Sequence, residues 1–190
     1  MDEPSTASAA EPQAAGPKLL EPPAWAVFVA AGLVAGTVIR YEFSADAFAW
    51  AAVQVVLVGV AVYDFATRTI KNAVTVPLAL LAVLLRVAFN RSDLVEILVA
   101  GAVVLLAVFA LSLVLRGGLG MGDVKLAGML GFVLGWQVVA ALFLGTLAGG
   151  VAAAVLLSRS ARRRATMAYG PYLALGASAA ILLSHPPHLV

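Results

Sequence analysis

The chain has 190 residues, of which 63% are hydrophobic and 12% charged, with a formal net charge of +2. Soluble domains are nearer half apolar and a quarter charged, so this composition excludes a soluble globular protein, a disordered chain and a coiled coil. It predicts an all-α, polytopic transmembrane helical bundle, and at about 20 residues per crossing the length allows roughly six or seven membrane segments.

Residues 1–23 are rich in Ala, Pro and acids, with Lys18 the only basic residue. That pattern predicts a disordered tail. It is not that of a signal peptide, which opens with a basic region followed by an early apolar run. Apolar runs and flanking charges predict spans at 24–40, 47–63, 73–89, 94–115 and 168–184, with a short C-terminal tail at 185–190. Residues 124–157 are apolar without a charge between Lys125 and Arg159, and read either as one tilted span or as a hairpin. The spacings Gly32/Gly36, Gly131/Gly135 and Gly145/Gly149 are of the kind that lets membrane helices approach closely.

Charge placement favours the hairpin, with legs near 124–135 and 137–157. The tail and the loops 64–72, 116–125 and 158–167 then share one side, which carries Lys18, Arg68, Lys71, Arg116, Lys125, Arg159, Arg162, Arg163 and Arg164, against Arg40, Arg86 and Arg91 opposite. The positive-inside rule places the richer side in the cytoplasm. A single span would move the arginines of 159–164 across and erase the asymmetry. Seven crossings follow, the sixth of them complete and the fifth short or partly re-entrant, because about 12 residues reach only about 18 Å. The arginines of 159–164 read as an anchor to anionic lipid.

The acids sort by place. Asp2, Glu3, Glu11 and Glu21 lie in the tail, Glu42 and Asp46 in the first outer loop, and Asp93 and Glu96 near the second. Asp64 and Asp123 remain, both at the cytoplasmic rim. Acids at membrane depth are functional candidates by default, and two on one rim suggest a paired-carboxylate site. Plainer roles also exist: Asp123 as a helix N-cap after a glycine-rich loop, and Asp64 as an ion pair with Arg68 four residues on.

Other chemistries fit poorly. The sequence has no cysteine, which excludes disulfides, Cys-ligated metals and a Cys nucleophile. Gly117 to Gly122 has phosphate-loop spacing, but Asp123 and Val124 stand where Lys and Ser/Thr are needed. His185 and His188 supply only two ligands on the outer side, too few for a metal site, and no His–Asp partner serves a rim serine. No metal or cofactor is expected, and without basic stretches interleaved with aromatics no nucleic-acid partner.

Gly120-Met121-Gly122-Asp123-Val124-Lys125-Leu126 resembles the Gly-x-Gly-Asp-x-Lys-Leu motif of type IV prepilin peptidases, polytopic GxGD-type aspartyl proteases. Gly131-Phe132-Val133-Leu134-Gly135-Trp136 is similar to that family's glycine-rich continuation. Tyr63-Asp64-Phe65-Ala66-Thr67-Arg68-Thr69-Ile70-Lys71-Asn72 resembles its first aspartate segment, with Lys71 in place of the usual Pro. Tyr169-Gly170-Pro171-Tyr172-Leu173-Ala174-Leu175-Gly176 resembles its Phe-Gly-Pro-Phe element, with Ala168 in place of a preceding Pro. The three motifs stand in order across roughly residues 55–180.

The resemblance implies a membrane-embedded aspartyl endopeptidase with Asp64 and Asp123 as the catalytic pair and Gly120, Gly122 and Lys125 as the supporting loop. Lys125 would either orient the site or bind lipid. The implied substrate is a prepilin or pseudopilin, cut at the cytoplasmic rim of the cell membrane just before its hydrophobic segment. The paired Cys-x-x-Cys domain that accompanies N-methylation in larger members has no counterpart here, so the expectation is the short, peptidase-only form found with Flp/tight-adherence pili. Two alternatives share some features: a presenilin-like intramembrane protease, which also joins a Tyr-Asp to a Gly-x-Gly-Asp, and a small proton or cation transporter component using both carboxylates.

The side assignment is testable because the chain lacks native cysteine. Single cysteines at Ala66 and Ser160 are expected to resist a membrane-impermeant thiol reagent in intact cells. Labelling of either one reverses the orientation.

Overall fold

A computed structural model describes residues 23–70, 72–115, 119–159, 168–183 and 188–189. Nearly all of the expected tail lies outside the described residues, as do Lys71, Arg116, Gly117, Gly118, Arg162, Arg163, Arg164 and His185.

The described residues form an all-α bundle: α1 (Ala24–Arg40), α2 (Ala45–Thr67), α3 (Asn72–Phe89), α4 (Leu94–Val114), α5 (Met121–Leu134), α6 (Val138–Arg159) and α7 (Gly170–Leu183). Single 3-10 turns at Arg91–Asp93 and Gly135–Gln137 precede α4 and α6. Ala45–Thr67, Arg91–Val114 and the continuous run Met121–Ser158 are long and apolar enough to cross a membrane, while Ala24–Arg40, Ala73–Phe89 and Gly170–Leu183 are shorter apolar helices.

Local chemistry sets the ends of α2. The Ser44 hydroxyl accepts the Ala47 N–H at 3.2 Å, capping the start. Arg68, in the left-handed region (φ 53, ψ 35), stops the helix by donating its N–H to Asp64 O at 2.7 Å. The helix therefore runs four residues past the expected boundary at 63, and Asp64 lies inside its last turn.

The long apolar stretch is a hairpin, as the charges require. Gly135 turns the chain at φ 59 and ψ −142, a backbone region open essentially to glycine alone. The packing of the neighbours fixes the direction. Gly101 of α4 lies against Gly131 of α5 and Leu105 against Gly128, so these helices run antiparallel. Ala141, Gly145 and Gly149 of α6 face Gly176 and Tyr172 of α7 and Tyr169 just before it, also antiparallel. The N-terminus of α5 and the C-terminus of α6 thus share one end of the bundle.

A leg of 14 residues reaches about 21 Å against a hydrocarbon core of about 30 Å. Protein surrounds it instead. Val124, Leu126, Ala127, Gly128, Met129, Leu130, Gly131, Val133 and Leu134 are all buried, the pattern of a helix apolar on every side. α4 packs along α5, with α3 on another flank, and α5 also meets α7 and α6. α2 packs on α1 and α7, while its sequence neighbour α3 packs on α5 and α4. Two groups result, α1–α2–α6–α7 and α3–α4–α5, with α5 between them.

The opposite end is tied by polar contacts. Tyr41 Oη donates to Ile181 O at 3.0 Å, and Asp46 accepts the Leu189 N–H at 2.8 Å and meets His188 Nδ1. Arg86, counted above among the rim charges of that side, is fully buried and donates from Nη2 to Val133 O at 3.0 Å. A cation at the last carbonyls of α5 complements the helix dipole.

The glycine spacings divide. A β-carbon on Gly176 would fall 2.1 Å from Ala141 O, and one on Gly131 would fall 2.7 Å from Gly101 Cα, so both crossings bring backbone against backbone. Gly32 faces open space and Gly36 makes only ordinary contact with Leu182, so that pair seats no close crossing. Gly176→Leu is expected to cost about 1–3 kcal/mol or more. Gly150→Ala, with no atom within 4 Å of its β-carbon, should stay within about 0.5 kcal/mol of wild type. Unfolding of the purified protein in detergent checks both.

Candidate active site

Asp64 occupies the last turn of α2 with 4% of its surface exposed. Its Oδ2 accepts the Gly170 N–H at 2.9 Å. Gly170 begins α7, and the first N–H groups of a helix lack intrahelical acceptors, so α7 presents a free donor and its positive end to a carboxylate. Pro171 suits this position because it has no N–H to satisfy in the first turn. Only glycine fits at 170, since a β-carbon there would lie 2.6 Å from Asp64 Oδ2. The preceding Tyr169 is held by its hydroxyl, which donates to Thr146 Oγ1 at 2.8 Å, on α6. The Asp64 carboxylate is thus engaged by the start of α7.

Asp123 is the third residue of α5, and Gly120 is the N-cap. The Asp123 carboxyl reaches back to the Gly120 N–H, as the acid of a capping box does. Capping is therefore part of its environment, but from inside the first turn rather than from the cap position. Both supporting glycines have a steric reason. A β-carbon on Gly120 would lie 3.1 Å from Asp123 Oδ2, and one on Gly122 3.1 Å from Ile70 Cβ. Gly122 lets the loop after α2 press against the start of α5, which draws the two aspartates together.

Asp64 and Asp123 lie close enough for the charge of one to act on the other, and Asp123 is half-buried. Lys125 follows Asp123 by two residues. Residues two apart on a helix face different ways, and Lys125 lines a groove on another flank of α5, with Thr75 of α3 and Leu105 of α4. Among the described residues no three His, Cys, Asp or Glu side chains cluster as metal ligands would.

Gly170 stands within one of the motifs that carry the resemblance, but outside the site residues which that resemblance implies. Its signal was Gly-Pro opening an apolar helix, which marks a helix start with a spare N–H. Thr146 gave no signal, because its role depends on how α6 and α7 face each other.

A sequence profile of the type IV leader peptidase family matches residues 51–158, more than half of the chain. The chain belongs to the type IV leader peptidase family. It is 36% identical over 121 residues to a prepilin leader peptidase/N-methyltransferase of Escherichia coli (strain K12), covering 60% of this chain and 54% of that protein. It is 32% identical over 162 residues to the protein of the same description from Bacillus subtilis (strain 168), covering 83% of this chain and 64% of that protein. The chain therefore spans between about half and two thirds of the length of these relatives. No solved structure matches. The family match takes in both aspartates and the whole of α5, and with the apolar helices it describes a multi-pass membrane protein.

The juxtaposition has a direct check. In this cysteine-free chain, Asp64→Cys combined with Asp123→Cys should crosslink with a short bifunctional thiol reagent, and Asp64→Cys combined with Ser92→Cys, in the turn between α3 and α4 at the opposite end, should not. Equal crosslinking of the two pairs would break the assignment of one site.

Proposed function

We propose that this protein is an aspartyl endopeptidase that removes the short leader from prepilin-like proteins of the Flp type, with Asp64 and Asp123 as its catalytic pair. The observation that carries this reading is the convergence of two carboxyl groups, from α2 and α5, at one end of the bundle. Nothing beyond water is needed. One carboxylate takes a proton from the attacking water while the other, protonated, donates to the scissile carbonyl. Two carboxyl groups at close quarters do not easily both ionise, which supports this division of roles. Gly170 orients Asp64, and Gly120 and Gly122 leave room for an extended substrate backbone beside Asp123.

The depth of the pair favours cutting at the rim over cutting within the bilayer. Asp64 ends α2 and Asp123 begins α5, so neither sits at mid-membrane as a presenilin-like mode of attack would ask. The basic side of the chain carries these helix ends, which supports cleavage at the cytoplasmic face of the cell membrane.

Co-expression with a tagged Flp-type prepilin tests the reading by mass spectrometry of the pilin N-terminus. Wild type should remove the leader, and Asp64→Asn and Asp123→Asn should each slow removal about 100-fold or more. Cleavage by both variants would reject the catalytic pair. Failure of folded wild type on the cognate pilin would point instead to a degenerate homologue or to proton or cation transport.

A further inference from the structure

The groove that holds Lys125 lies outside the candidate site. It opens between α3 and α4 over one face of α5, with a volume of about 350 Å³. Most of its wall is apolar, including Leu80, Val83, Leu105 and Phe132, and no carboxylate lines it. Leu80 is 56% exposed on the outer surface of the bundle, so the groove opens sideways toward the hydrocarbon.

Two polar groups break the pattern, and both lie at the same end. Lys125 is in the first turns of α5, and Thr75 in the first turn of α3. Thr75 is 2% exposed, and its hydroxyl has no hydrogen-bond partner among the described residues. A buried hydroxyl without a partner carries a desolvation cost that a ligand acceptor would remove. The site therefore offers one cation and one hydroxyl at the rim, and below them an apolar slot about 10–12 Å long by helix rise.

We propose that this groove binds one anionic phospholipid, its phosphate meeting Lys125 and Thr75 and one acyl chain lying along α5. Charge decides for an anion, and basic pockets between membrane helices on the cytoplasmic side suit anionic headgroups. The narrow, apolar wall suits an acyl chain, a single file of methylenes, lying along α5. The bound headgroup would brace the first turns of α5, two residues from Asp123, without entering the carboxylate pair.

The test reads stability rather than cleavage, so its outcome is independent of the peptidase proposal. The full-length protein is placed in nanodiscs of phosphatidylcholine with or without phosphatidylglycerol, and its unfolding midpoint is measured. Phosphatidylglycerol should raise the wild-type midpoint by about 3–5 °C. Lys125→Ala and Thr75→Val should lose most of that rise, and Lys125→Arg should keep it. Leu80→Trp, which fills the slot, should lose the rise while its midpoint in phosphatidylcholine stays near wild type. An equal rise in wild type, Lys125→Ala and Leu80→Trp would move the lipid effect elsewhere and overturn the proposal. The same rise with inorganic phosphate alone would reduce the site to an anion pocket. Photocrosslinking from position 125 to a co-expressed prepilin instead of lipid would reassign the groove to substrate.

Discussion

Where α7 sits on α6 decides what Asp64 can bind. Gly176 brings the α7 backbone onto Ala141 and Gly145, close enough that even a methyl group would collide. Three residues of α6 then meet two of α7 and the residue before it in antiparallel register, and that residue, Tyr169, is fixed to Thr146 at the top of the crossing. This seating leaves Gly170 with its N–H aimed at the end of α2. A shift of one residue along α7 would replace that glycine by Pro171, which has no N–H to donate. The first carboxylate thus takes its geometry from helix packing that begins several residues away.

The second carboxylate depends on a helix that could not stand alone in a membrane. α5 is too short to cross and has apolar residues on every face, so it is stable only where other helices cover it. Being enclosed, it is also held firmly. Gly128 and Gly131 seat it on α4, and Arg86 holds its last turn through Val133 O. Its first turn is left to carry Asp123 at a fixed depth beside the loop that follows α2.

Much of this was legible in the residues. Apolar runs gave five segments and one long stretch, and the balance of basic charge read that stretch as a hairpin before any packing was known. The two acids on one rim stood out because every other acid had a place in the tail or an outer loop. What could not be read were facts of register between helices. Arg86 looks like a rim charge in sequence and is buried, because α5 ends beside it. Gly32 and Gly36 have the spacing of a packing motif but face open space and an ordinary contact, since spacing alone does not say which face of α1 meets a neighbour. Lys125 reads as part of the aspartate loop, yet helical rotation turns it to another flank.

The division of the bundle into two groups of helices bears on how the site is held together. Asp64 and its orienting glycine belong to one group, and Asp123 to the other, so the pair straddles a seam along which α2 and α3, though consecutive in the chain, do not pack as a unit. The site is therefore a joint rather than a pocket cut into one rigid body. The distance between the two carboxylates is set by how the α1–α2–α6–α7 group closes on α5, and a wedge driven into that seam would part them while leaving the residues around each in place.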